Sequence, residues 1–245
     1  MVKIYKLLLV FLIVMQSCYH SEVIPFTHSN GEFIIVDSNG IKTDLLLYPN
    51  DLREGYFPIY YIGKVTDTIR LGKSTIFSRK TGDIDYSKSI AYESLDSTKM
   101  RIVVDTSLSL SHAIDYLHFD EEQKEAIVDS TKIYKAFPIY IYNTCDSTIP
   151  VGHRAELGRT IRQVKNEQGK WVDLEGSISY GCLFNSRLLL IEPGEIAVAK
   201  LPRHQGDFEV LCRLKFTYFK GQIYSNTFTD FIEKRQLKNI QLSEQ

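Results

Sequence analysis

The sequence predicts a mainly β protein: antiparallel β-sandwich structure in two related units, with one short helix between them. Three observations carry this. Short apolar runs rich in aromatic and β-branched residues are separated by Gly, Asn and Pro turn signals. A strand-like phrase occurs twice. Residues 56–72 read "YFPIYYIGKVTDTIRLG" and residues 136–152 read "AFPIYIYNTCDSTIPVG", so that Phe57, Pro58, Ile59, Tyr60, Thr68, Ile69 and Gly72 meet their own residue types eighty positions on. Between the copies, one stretch differs in character and carries a helix-start signal at Asp120.

The first residues concern destination rather than fold. "MVKIYK" supplies Lys3 and Lys6, residues 7–15 are nine apolar residues, and "QSC" follows. A charged start, a short apolar core and a small residue make a secretory signal. Nine helical residues rise only about 13.5 Å against a hydrocarbon core of roughly 30 Å, too short for a lasting span. The end of this signal resembles the lipobox of bacterial lipoproteins. Ser17 takes the small position and Cys18 the lipidated one, while Met15 and Gln16 depart from the usual choices. The resemblance implies a signal peptide over 1–17, lipidation of Cys18 and a membrane anchor. Tyr19 stands where an inner-membrane retention aspartate would be, so the resemblance implies the outer membrane, its periplasmic or surface face left open. The alternative is a secreted protein in which Cys18 is incidental. Stable anchoring needs more than one acyl chain, and lipoproteins of this kind carry several.

The mature chain begins with a polar stretch, 18–30, expected to be a tether. "GEFIIVDSNGIKTDLLLYP", 31–49, is two strand-like runs around Ser38-Asn39-Gly40, and Asn-Gly between apolar runs is a strong hairpin signal. The first copy of the phrase follows, then a turn at Thr81-Gly82-Asp83 and a strand in "KMRIVVDTSLSL". Asp120 with Gln123 reads as an N-cap and its partner, which predicts a helix over roughly 120–128. After the second copy, "RTIRQVKNEQGKWVDLE" is a hairpin about Gln168-Gly169. "RLLLIEPGEIAVAKLP" is strand, Pro-Gly turn, strand, and "GDFEVLCRLKFTYFKGQIYSNTFTDFI" is two strands turned at Lys220-Gly221. The expected organisation is an N-terminal β-rich region over 31–132, a sandwich over 133–238 and a polar tail over 239–245.

Three of these phrases, "FPIYIYNTCDSTIPV", "IEPGEIAVAKL" and the closing hairpin with Ser-Asn before its last strand, resemble bacterial immunoglobulin-like modules over about 133–232. That resemblance implies an immunoglobulin-like β-sandwich and leaves function open, because such folds host many activities. Strand alternation puts Phe137, Ile139 and Ile141 on one face and Tyr140 and Tyr142 on the other. Pro138 lacks an N–H, which suits an edge strand or a strand start. The face Phe208, Val210, Cys212, Leu214, Phe216, Tyr218 is apolar and points Cys212 into a core. With Cys18 set aside, Cys145, Cys182 and Cys212 remain. An odd number leaves one unpaired: a Cys145–Cys212 bridge, a Cys182–Cys212 bridge and three free thiols all stay open.

Removing Lys3 and Lys6 from 29 basic residues leaves 27 against 30 acidic ones, a net of −3. No basic stripe stands out, which argues against nucleic acid. "GKST" at 72–75 ends like a phosphate-binding loop, but Asp67 sits where its first glycine belongs. "GSISYG" at 176–181 misses the nucleophile-elbow spacing. The six histidines are scattered without metal-ligand spacing, and the acidic residues Asp105, Asp115, Asp120, Glu121 and Glu122 lack that of an EF-hand. No metal site, cofactor or catalytic group is expected. The expected function is a non-catalytic cell-envelope lipoprotein acting as a protein-interaction or scaffolding module. A glycan-binding lipoprotein using Tyr60, Tyr140, Tyr142 and Trp171 as an aromatic surface is one alternative. A hydrolase with an unrecognised site, such as Cys182 with a histidine, is another.

Overall fold

The computed structural model describes residues 26–29, 33–37, 40, 42–47, 57–72, 95–120, 124–153, 156–158, 160–175, 188–218 and 221–237. The signal, Cys18, Cys182, the Thr81-Gly82-Asp83 turn and the "GSISYG" stretch lie outside them. Nearly all regular structure here is strand, with one helical turn at 234–237. A central sheet takes β3 (Ile59–Lys64), β13 (Glu195–Pro202), β7 (Glu125–Asn143) and β5 (Met100–Val104) in that order, with β6 (Leu110–Asp120) also pairing β7. One neighbour joins β11 (Trp171–Asp173), β10 (Thr160–Lys165), β14 (Phe208–Tyr218), β15 (Gly221–Tyr224) and β16 (Phe228–Ile232). A small sheet of β12 (Leu188–Ile191), β8 (Ile149–His153) and β9 (Glu156–Leu157) adds to this side, and β1 (Phe26–Ser29), β2 (Ile34–Asp37) and β4 (Thr68–Leu71) form a third. All these pairs are antiparallel except β2 with β4.

Alternation of apolar residues builds two cores, one on each face of the central sheet. On one face Ile59, Ile102, Phe137, Ile139, Ile141, Ala197, Ala199 and Leu201 pack with Val164, Val172, Cys212, Leu214, Phe216 and Phe228 of the neighbouring sheet. On the other, Tyr140, Ile196 and Val198 pack with Phe33, Ile35, Ile69 and Leu71 of the third sheet. β13 is therefore buried along its whole length and on both faces.

One residue of that strand is a lysine. Lys200 faces the second core and is 3 % exposed. Its ammonium donates to Asp37 Oδ2 at 2.7 Å and to the Ser111 carbonyl at 2.7 Å, and lies 4.3 Å from the centre of the Tyr60 ring. Burial pulls its pKa down and Asp37 pulls it back. One charge thus joins β2, β3, β6 and β13.

The repeated phrase has a structural counterpart. β3 and β7 flank β13, and Ala199 stands opposite both Ile59 and Ile139. The copies then part: β4 joins β2, and β8 joins β12. Their closing glycines part too. A Cβ at Gly152 would lie 1.7 Å from the Glu156 carbonyl oxygen, whereas nothing crowds Gly72.

Several expectations change. Pro138 is in an internal strand, not at an edge. It is tolerated because β5 covers β7 from Ile139 onward and β6 covers it up to Ala136. The missing N–H falls at that gap, where Asp105 N–H donates to the Pro138 carbonyl. The helix expected near 120–128 is absent from the described residues. β6 and β7 form a long antiparallel hairpin instead, with Lys124 at φ 54° in its turn. Tertiary pairing overrides the Asp120 capping signal. The segment after Gly40 does not fold back on β2; β2 pairs β1 and β4, and residues 43–47 bond to Ile133, Lys135 and Arg203. β1 lies inside the stretch expected to be tether. The boundary drawn at 132/133 falls within β7, and strands from both sides of it share the central sheet.

The hairpin about Gln168-Gly169 forms as expected, with Gly169 at φ 78°, and β14 pairs antiparallel with β15 from Tyr218 opposite Gly221. The last run divides at Ser225-Asn226 into β15 and β16, both paired to β14. Ser225 Oγ accepts from Leu214 N–H, and the Asn226 amide both donates to and accepts from the backbone of Val104. That side chain ties the outer edge of β5 to the neighbouring sheet.

Deleting one partner of a buried ion pair strands the other charge, at a cost of about 3–5 kcal/mol. Asp37→Ala should therefore lower the unfolding free energy in urea by about that much, and Asp37→Leu combined with Lys200→Met should recover most of it.

Candidate interaction surface

The most concentrated ionisable chemistry is buried. Arg162 on β10 is fully enclosed. Its Nη1 donates to Asp230 Oδ2 at 3.0 Å, Nη2 donates to the Pro202 carbonyl at 2.6 Å, and Nε lies 3.4 Å from Glu175 Oε1. His204 Nε2 is 3.0 Å from the same Glu175 oxygen. Burial alone would raise the Glu175 pKa, but Arg162 and His204 hold it below the ordinary value. Burial and the Arg162 charge keep His204 below its own, against the pull of Glu175 and Asp230. This group locks β10, β13 and β16 together. Neither Arg162 nor Asp230 is open to a substrate, so its work is structural. Among the described residues no three His, Cys, Asp or Glu side chains gather as a metal ion requires.

The expected aromatic surface is not one surface. Tyr140 is 2 % exposed and meets Phe33 edge-on, so it is a core residue. Tyr60 is half-buried, bonded through its hydroxyl to His112 Nδ1 at 2.9 Å. Tyr142 lies under the Arg101 guanidinium at 4.1 Å. Trp171 stands on another sheet. There the Arg213 guanidinium sits 4.3 Å from the Trp171 ring and 3.8 Å from Tyr224. Gln163 accepts from Arg213 Nε and donates to Asp173, which also takes Lys215. Leu211 and Phe231 are exposed on this same outer face.

Cys145 and Cys212 are free thiols, so neither bridge considered for Cys212 is formed. Cys212 belongs to the core, as its strand face predicted, and burial pushes its thiol up to about 12. Cys145 sits in the β7–β8 turn, its thiol donating to Asn143 Oδ1 and the Ser147 carbonyl. An open cleft of about 510 Å³ lies at Gln205–Asp207 and Glu233–Arg235. Its Glu233 pairs with Arg235, and Glu233 N–H donates to Gln236.

The β6–β7 hairpin is a different kind of feature. Its base, Leu110–His112 against Tyr134–Ala136, is buried except for the half-buried Lys135. Beyond it the two strands run on as an arm, about 26 Å over the eight residues 113–120 at 3.3 Å each. Among the described residues the arm strands pair only with each other. Cross-strand side chains hold them: Tyr116 with Tyr134, Thr131 with Asp115, His118 with Asp129. Leu117 and Val128 stand directly opposite each other, 58 % and 52 % exposed. An apolar pair so placed gains little from burial within this chain. The sequence reading missed the arm because a single capping pattern outweighed the alternation of "SHAIDYLHF".

Protonation of buried histidines sets a pH limit. Burial, helped by the Lys200 charge, pushes His112 down to about 3, and His204 is also depressed. Both bind protons more readily in the unfolded chain, so stability is lost as pH falls below about 6.5. Glu175, depressed as a carboxyl, adds a further loss below its ordinary 4.5. At pH 5 the His112 share is about 2 kcal/mol relative to pH 8. Urea titrations at the two pH values should show it, and His112→Leu should remove that share of the difference.

Comparison with known proteins adds no relative: no family model, no curated protein and no solved structure matches this chain.

Proposed function

We propose that the chain is a non-catalytic, lipid-anchored lipoprotein of the bacterial cell envelope that binds or scaffolds other proteins at the outer membrane. The observation that carries this is the β6–β7 arm. Among the described residues it projects a two-stranded ribbon, open along β6 from Ala113 and along β7 beyond Ile133, with an exposed Leu117–Val128 pair. Open edges and exposed apolar pairs are costly to keep and are the usual material of a docking element. The lipid anchor rests on "QSC" at 16–18, and an immunoglobulin-like character for 133–238 rests on its three phrases. The Ser225-Asn226 corner, with β14 between β10 and β16, supports that finer reading.

A photo-crosslinking amino acid at Leu117, introduced into the full chain in its native envelope, should yield discrete protein adducts that are missing from the same probe at Lys165. Absence of adducts from several arm positions would defeat the interaction reading. Labelling with a fatty-acid analogue should be lost in Cys18→Ser, and retention would remove the anchor.

A second reading, glycan binding, is favoured by the Trp171–Arg213–Tyr224 stack beside Gln163, Asp173 and Lys215. Aromatic faces bordered by fixed polar groups suit sugar rings. Trp171 is the chain's single tryptophan, so its emission reports that face directly. Peptidoglycan fragments should shift it on this reading and leave it unchanged on the first.

A further inference from the structure

We infer that the outer edge of β6, from Ala113 outward, takes a positively charged strand of a partner protein by β-strand addition. The inference rests on the interaction-module reading and names its partner chemistry and mode. Three observations on the arm lead to it.

The first is hydrogen-bond direction. Lys135, opposite Ser111, turns its N–H away from β6 to the Leu45 carbonyl, and Ile133, opposite Ala113, turns its carbonyl away to Thr43 Oγ1. These are non-bonded pairs of the ladder, so Ala113 and, two residues on, Asp115 direct their own N–H and C=O outward from β7. At Ser111 that outward carbonyl is taken by Lys200. At Ala113 and Asp115, among the described residues, nothing takes it. The corresponding edge of β7 is covered by residues 43–45 as far as Ile133, which leaves β6 as the longer open template.

The second is charge. Residues 113–132 carry Asp115, Asp120, Glu121, Glu122, Glu125 and Asp129 against Lys124 and Lys132, a net of −4. That exceeds the −3 of the whole mature chain, so the remainder is close to neutral and the negative charge is concentrated on the arm. Two copies of this arm would repel, which disfavours self-pairing, and an anionic lipid surface is disfavoured for the same reason. A basic strand is attracted.

The third is the face. Leu117 and Val128 lie on the same side of the ribbon as the Asp115–Thr131 pair. An added strand with alternating apolar and basic residues would cover the apolar pair with one set and turn the other to the opposite side of the ribbon, where Asp129, bonded to His118, and Asp120 lie.

The test uses the full chain in detergent and three synthetic peptides of equal length: alternating Val-Lys, alternating Val-Glu, and Val-Lys interrupted by proline. Fluorescence anisotropy at low and high salt reads binding. The Val-Lys peptide should bind, weaken with salt, and outbind both others at least tenfold. Ala113→Pro removes an outward N–H without touching the β6–β7 ladder and should cost tenfold or more, while Arg213→Ala should change nothing. Asp115→Lys should weaken Val-Lys binding and raise Val-Glu binding, which keeps the inference testable should Ala113→Pro fold poorly. Equal binding of the interrupted peptide, or indifference to Ala113→Pro in a folded variant, would overturn strand addition. Equal binding of Val-Glu, or no binding of Val-Lys, would overturn the partner's chemistry. Each of these negative results leaves the interaction-module reading to the adducts at Leu117, so the two failures are told apart.

Discussion

The structure depends on one strand being buried on both faces. β13 lies between β3 and β7 in the plane of the sheet and between two cores across it. A strand so placed can be apolar throughout, as parallel sheet interiors are, or it can carry a polar group that is fully met. β13 does both. Ala197, Ala199 and Leu201 fill one side, Ile196 and Val198 the other, and Lys200 recruits Asp37, Ser111 and Tyr60 from three other strands. Any register slip of β13 by one residue would turn Lys200 to the first-core face, away from the Asp37 carboxylate and the Ser111 carbonyl that meet it. The buried charge adds less to net stability than to uniqueness of register, because its desolvation opposes its pairing.

The same logic recurs on the far side of the first core. Arg162 reaches the Pro202 carbonyl at the end of β13 and takes Asp230 and Glu175 as its counter-charges. Lys200 and Arg162 therefore hold opposite faces of the same strand end, each through carboxylates distant in sequence. With Asn226 closing the edge of β5, the sheets are joined by side chains where no ladder joins them. Among the described residues the arm stands outside this scheme, with an exposed apolar pair and an open edge.

Much of the local structure was legible. Alternation gave Phe137, Ile139 and Ile141 of β7 and Val210, Cys212, Leu214 and Phe216 of β14 as core residues, and Gln-Gly marked a real hairpin. What alternation could not supply was partnership. The repeat looked like two units in series because each copy reads as a strand with its own turn. In the fold both copies serve one strand, β13, and sequence periodicity carries no record of a shared neighbour. The buried ions were half legible. Asp230 in "FTDFI" and Arg162 in "TIRQV" occupy positions that alternation assigns to the interior, which signals a buried pair without naming it. The helix near Asp120 failed for a physical reason: a capping pattern is worth about 1 kcal/mol, and eleven ladder positions between β6 and β7 outweigh it. Of the four aromatic residues proposed as a surface, alternation itself could have placed Tyr140 inside once two cores, rather than one, were envisaged.

The shared strand has a consequence for how the molecule is made. Asp37 and Lys200 are 163 positions apart, and Val104 and Asn226 are 122 apart. Closing such loops delays the contacts that reward them, and folding slows accordingly. Phe33, Ile35, Ile69 and Leu71 cannot complete the burial of their side chains until β13 supplies Ile196 and Val198. The N-terminal strands thus complete their packing late, and a chain stopped short of β13 would leave Phe33, Ile35, Ile69 and Leu71 only partly covered.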